Sequence, residues 1–160
     1  MNVVQFPSPA GLLKLSDIPE RPPLQPWYSG FPEWRHKIAL APGTLSVVTG
    51  HPGHGKSSLM GHVLFNTASL NNLYVVVAAA ENYPKPSYRK MLRQFWSGMR
   101  QDEMDDRQMA EADAFIEDHY RFLLHPDDRP NVSWLLEWAD KTDLDILLID
   151  PWNRLESQRE

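Results

Sequence analysis

The sequence predicts an α/β fold, a mostly parallel sheet with helices on both faces. Three observations predict it. From Pro42 onward, apolar β-rich runs alternate with segments at helical spacing. One of the runs, "LYVVVAAA", is too continuous for a strand with one wet face and suits a strand buried on both. Finally, the glycine-rich stretch "GHPGHGKS" sits between an apolar run and a helical pattern, the position of a strand-to-helix connection.

The elements follow in order. Residues 1–30 carry many of the 14 prolines, in "FPSPAG" and "IPERPPLQPW". Proline fixes φ and removes a backbone donor, so this stretch predicts an extended, surface-lying lead-in before a domain at 31–160. "TLSVVTG" predicts a strand ending at Gly50. "GKSSLMGHVLFNTASL" predicts a helix, with Leu59, Met60, Val63 and Leu64 on one side. "LYVVVAAA" is the buried strand. "SYRKMLRQFWSGM" places Tyr88, Met91, Leu92, Phe95, Trp96 and Met99 along one stripe of an amphipathic helix. "QDEMDDRQ" is a solvated, charged helix start. "RQMAEADAFIEDHY" is a helix, "RFLLH" a short strand, and "NVSWLLEWADKT" a helix that Asn131 can cap. "DILLID" is the last strand, ending at Asp150.

Composition bounds the rest. Of the 160 residues, 42% are hydrophobic and 23% charged, a globular profile with enough chain for one core. No apolar run reaches the roughly 20 residues of a membrane helix, so no membrane partner is expected. The start lacks the basic flank and apolar stretch of a secretory signal. With no cysteine, disulfides and thiolate metal sites are excluded, and a reducing cytosol is the natural setting. A formal net charge of −5 argues against coating nucleic acid by charge alone, though a local basic track is compatible with it.

Gly50, His51, Pro52, Gly53, His54, Gly55, Lys56 and Ser57 fit G-x-x-x-x-G-K-[ST]. Each type has a chemical reason. Glycines let backbone N–H groups turn toward a phosphate, where a Cβ would obstruct the approach. A helix starting near Lys56 offers free N–H groups and the positive end of its dipole. Lys56 supplies a mobile positive charge, and Ser57 a hydroxyl for Mg2+. At the tip of a neighbouring buried strand, Asp150 can hold the water shell of that Mg2+.

Glu81, just past a buried strand, lies at the sheet edge where ligands sit. Two readings stand side by side: a base for the water that attacks a phosphate, or a carboxylate that caps the following turn. His51 and His54 are close enough to suggest a metal site. No further ligand falls at suitable spacing in that segment, so they fill the variable loop positions. His62 and His119 have no partner that spacing identifies. Trp96, Trp134 and Trp138 are assigned to core packing rather than to base stacking.

Together these residues resemble the RecA-like ATPase core of DnaB-type replicative helicases, in the Twinkle-like and bacteriophage primase–helicase branch. The stretches that carry the resemblance are "YSGFPEWRHKIALAPGTLSVVTGHPGHGKSS", "VVVAAAENYPKPSYRKML" and "LDILLIDPWNRLE", covering about residues 28–156. The resemblance implies that Gly50 to Ser58 bind ATP phosphates, that Ser57 and Asp150 hold Mg2+ through water, and that Glu81 is the catalytic carboxylate, with Lys56. Asn153 would lie near the nucleotide. It further implies single-stranded DNA as partner, a homo-oligomeric ring in the full-length form, replication proteins as further partners, and the cytoplasm of a bacterial or phage-infected cell. Trp34 stands where relatives carry a Leu-Asp pair.

Cores of this family continue beyond the second acid with further strands, DNA-facing loops and an arginine finger. This chain is therefore expected to carry the N-terminal part of the core, with the C-terminal part missing. It is either a piece of a longer product or a reduced protein that binds ATP without unwinding. The alternative function is thus a non-unwinding scaffold or loader. A RecA-fold recombinase or clock-type ATPase is a further alternative that would share the loop but lack "DPWN".

Overall fold

The computed structural model describes residues 13–18, 20, 23–34, 37–38, 40–79, 83–125 and 130–155. Much of the proline-rich lead-in and the whole of Glu81 therefore lie outside the described residues. Three strands, β1 (Val75–Ala79), β2 (Tyr120–Leu123) and β3 (Ile146–Asp150), form one parallel sheet in the order β2-β1-β3. Among the described residues, four α-helices accompany them: α1 (Lys56–Asn71), α2 (Arg89–Ser97), α3 (Asp106–His119) and α4 (Val132–Lys141).

The central strand is the apolar run, and its residues Val75 to Ala78 are all buried. Alternation along it divides the core in two. Val75 and Val77 join Leu64, Phe65 and Ala68 of α1, Tyr88, Leu92 of α2, Ile116 of α3 and Tyr120 of β2 in one cluster. The chain steps from β1 to β2 and then returns across β1 to β3. Right-handed crossovers in opposite directions put their helices on opposite faces. The return helix α4 accordingly belongs on the second face, the side of Val76 and Ala78, and it buries Leu135 completely.

Local chemistry sets the helix ends. In α3, the Asp105 carboxylate accepts from Gln108 N at 2.7 Å while the Gln108 side chain accepts from Asp105 N at 3.0 Å, a reciprocal capping box. Asn131 caps α4 as its position predicts, accepting from Trp134 N at 2.9 Å. Helix α1 ends on Asn72 in the left-handed region, where Leu73 N bonds back to Ala68 O. Asp145 aligns β3 with β1: its backbone N donates to Tyr74 O and its carboxylate accepts from Tyr74 N. Of the lead-in, Trp27 bridges Leu40, and Tyr28 exchanges two hydrogen bonds with Asn71 at the end of α1.

Two expectations are corrected. The strand expected at "TLSVVTG" is not formed: Thr44 to Gly50 carry no ladder, and Leu45 and Val47 are 87% and 80% exposed. The run is separated from the free edge of β3 by an apolar slot of about 330 Å3, lined by Leu45, Val47 and Val48 on one side and Leu147 to Ile149 on the other. β-propensity without a neighbouring backbone in hydrogen-bonding reach makes no strand. Trp138 is not core, being 45% exposed on α4, although it lies only three positions from buried Leu135; burial on this helix centres on Leu135 and does not extend to Trp138. Trp134 is half-buried against His125, and Trp96 packs on the core cluster. Strand β2 begins at Tyr120, one residue before the stretch that predicted it.

Candidate functional site at the carboxyl edge of the sheet

The glycine loop enters α1 through Gly55, which occupies the left-handed region at φ +76, as does Gly53. A Cβ at either would meet no atom within 4 Å, so the backbone angle, not space, requires glycine there. Helix α1 starts with no side-chain cap and no acid in its first turn. Its leading N–H groups therefore keep their capacity for an external acceptor. His51, Pro52, Gly53 and His54 are all exposed.

Lys56 folds back over this loop. Its ammonium donates to Gly50 O and His51 O, each at 2.8 Å, so the charge is held beside the loop backbone. Next to it, Ser57 Oγ donates to Asp150 Oδ1 at 3.2 Å. The register explains how an acid so distant in sequence arrives there. Ala79 pairs with Asp150, so β1 and β3 end level and their carboxyl ends form one edge, with the start of α1 above it. The second carboxylate oxygen of Asp150 accepts from Tyr88 Oη at 2.8 Å. Burial, followed by that bond to Asp150, holds the Tyr88 phenol far above its ordinary pKa, so it stays protonated and donates.

The structure thus brings together Gly50 to Ser57 and Asp150. Ser58 follows on the exposed side of α1. Glu81 falls two positions after Ala79 in sequence, outside the described residues. Asn153 lies in a single helical turn, Trp152–Arg154, directly after β3. Spacing alone could not assign Tyr88 to this site, because in the sequence it continues the apolar stripe of the segment that becomes α2, although it lies just before that helix. The available signal was chemical: a buried tyrosine needs a partner for its hydroxyl.

The donor set suits a hard cation. A hydroxyl and a carboxylate are oxygen ligands, and Mg2+ commonly takes one or two such groups while keeping waters and phosphate oxygens. Among the described residues no cluster of three His, Asp or Glu side chains could build an all-protein metal cage. The rings of His51 and His54 stand 5.6 Å apart and tilted. His62 instead stacks on Phe95 at 4.7 Å, and His119 Nδ1 lies 2.9 Å from Leu73 O; both are packing residues.

Fold and site define a class: an α/β chain whose glycine loop, helix N-terminus, lysine, hydroxyl and strand-end carboxylate converge at the carboxyl edge of a parallel sheet, compatible with a RecA-like fold. Among curated proteins, the chain is similar to the Twinkle homolog protein, chloroplastic/mitochondrial, of Arabidopsis thaliana, at 28% identity over 144 residues. The alignment covers 82% of this chain and 20% of that protein, so the chain spans about a fifth of its relative's length. This supports a distant relation to a helicase-related family. No protein-family model matches the chain, and no solved structure matches it. Among the described residues, no helix is long and apolar enough to cross a membrane.

Proposed function

We propose that the chain binds ATP with Mg2+ and hydrolyses it, as the nucleotide-handling core of a replicative DNA helicase, with residues 31–160 as the ATPase unit. The observation that carries this reading is the convergence of the Gly50 to Gly55 loop, Lys56, Ser57 and Asp150 at one edge. Loop and first-turn amides bind phosphate oxygens. Lys56 exchanges its two carbonyl acceptors for the outer phosphates. Ser57 and Asp150 would hold Mg2+ with its waters, and the ion when bound would supply neutralisation of phosphate charge. Glu81 orients the attacking water and takes its proton. The level ends of β1 and β3 support that role, since Glu81 follows β1 closely.

Distant similarity to the Twinkle homolog supports the helicase part of the reading. The proposal adds single-stranded DNA as the track and a ring as the working form. The test is calorimetry with MgATP, followed by ATP hydrolysis with and without single-stranded DNA. Binding is expected in the wild type, and Glu81→Gln is expected to bind normally while hydrolysis stops. Normal hydrolysis by Glu81→Gln would remove that residue from its role. Tight binding without any DNA stimulation would leave a nucleotide-binding scaffold and sink the translocation reading.

A further inference from the structure

We infer that Tyr88 is a positioning residue for Asp150, fixing the carboxylate so that one oxygen is presented to the Ser57 side. The inference rests on the proposed nucleotide and metal site. An Asp side chain rotates broadly about its terminal torsion, and a ligand that rotates is a poor partner for an ion demanding near-octahedral geometry. Here the two carboxylate oxygens are claimed from different elements. Oδ1 accepts from Ser57 at the start of α1, and Oδ2 accepts from Tyr88 at 2.8 Å.

Tyr88 is itself well anchored. It is 4% exposed, closes the turn Pro84–Tyr88 directly before α2, and stands edge-on to Phe122 of β2 at 5.8 Å. The phenol therefore projects from a packed ring, and its hydroxyl occupies Oδ2 while leaving Oδ1 to the side where α1 begins. Outer-shell hydrogen bonds of this kind orient metal ligands, and their loss commonly costs 10- to 100-fold in metal affinity.

Tyr88→Phe in the full chain removes the hydroxyl and keeps the ring. Mg2+ is titrated against a fluorescent ATP analogue, with thermal melting recorded alongside. The expected result is a nearly unchanged melting temperature, unchanged analogue affinity in EDTA, and a midpoint for Mg2+ raised about tenfold, equivalent to ~1.4 kcal/mol. An unchanged Mg2+ midpoint would overturn the inference. So would a variant that fails to fold, because the hydroxyl would then be assigned to stability alone. Asp150→Asn separates the underlying reading: if it too leaves the wild-type Mg2+ dependence intact, the metal site itself is wrong. If Asp150→Asn abolishes that dependence and Tyr88→Phe does not change it, only the positioning role falls.

Discussion

Ser57 Oγ and Asp150 Oδ1 lie 3.2 Å apart although 93 positions separate them. The level ends of β1 and β3 set this approach, so it reports on the sheet as well as on the site. Removing either group should leave the fold intact, because both are only partly buried and at an edge. Asp150→Asn keeps acceptor capacity for Tyr88 but loses the charge that attracts a cation. ATP affinity is expected to become independent of Mg2+, while unfolding free energy changes by less than about 1 kcal/mol. Calorimetry with and without Mg2+, paired with urea denaturation, measures both.

Lys56 is the second lever. Its ammonium already sits on the loop, bonded to Gly50 O and His51 O, and its partners are solvent-accessible rather than buried. Lys56→Ala should therefore cost little stability. A hydrogen bond to a charged group is worth about 1.5–3 kcal/mol, so loss of the lysine should weaken MgATP binding by at least roughly 10-fold. Titration calorimetry on the variant checks it, and wild-type affinity would show that the ammonium does not meet the nucleotide.

Arg93 and Asp113 tie α2 to α3. The guanidinium donates from Nε at 2.8 Å and from Nη2 at 2.6 Å, and Arg89 Nη2 stands 3.1 Å from the same carboxylate. Arg93 is buried, whereas the Asp113 side chain is 35% exposed, so solvent screens part of the attraction. Hydrogen bonding from Arg93, above all, holds the Asp113 pKa below its ordinary value. A carboxylate depressed on folding contributes stability at pH values above its unfolded pKa, near 4. That contribution is lost as pH falls through the lower folded value. Asp113→Asn, which leaves a buried guanidinium one acceptor but no counter-charge, should cost about 2 kcal/mol at pH 7. The gap between wild type and variant should close below about pH 4, read from denaturation curves at stepped pH.

Much of this fold was legible from sequence for a simple reason. Helices α1 to α4 and strands β1 and β3 have their period, caps and apolar content written locally: Asn131 caps α4, and Val75 to Ala78 are a continuous buried run. The turn into α1 was legible because left-handed backbone at Gly53 and Gly55 restricts residue type at fixed spacing. What failed depended on distant partners. Thr44 to Gly50 have strand composition, but whether they pair is decided by β3, across an apolar slot. Trp138 shares the i, i+4 spacing of core tryptophans, yet its exposure depends on how α4 is rotated against the sheet. Tyr88 looked like one more apolar stripe residue, because spacing carries no information about where a hydroxyl ends.

Tyr120 gives the opposite case to Tyr88. Both are 4% exposed and both ring systems belong to the same core cluster, but Tyr120 Oη has no hydrogen-bond partner among the described residues. Burial alone pushes its pKa up, with no neighbouring charge involved. A buried hydroxyl without a partner loses its water bonds on folding and recovers nothing, at a cost of about 1–3 kcal/mol. Tyr120→Phe keeps the ring and deletes the unsatisfied oxygen. The variant is therefore expected to gain about 1 kcal/mol, seen as a higher urea midpoint with an unchanged slope. Tyr88→Phe should show no such gain, since its hydroxyl is bonded to Asp150. A Tyr120→Phe chain less stable than the wild type would mean that the hydroxyl is satisfied in solution, and the two tyrosines would then no longer be distinguished by partnership.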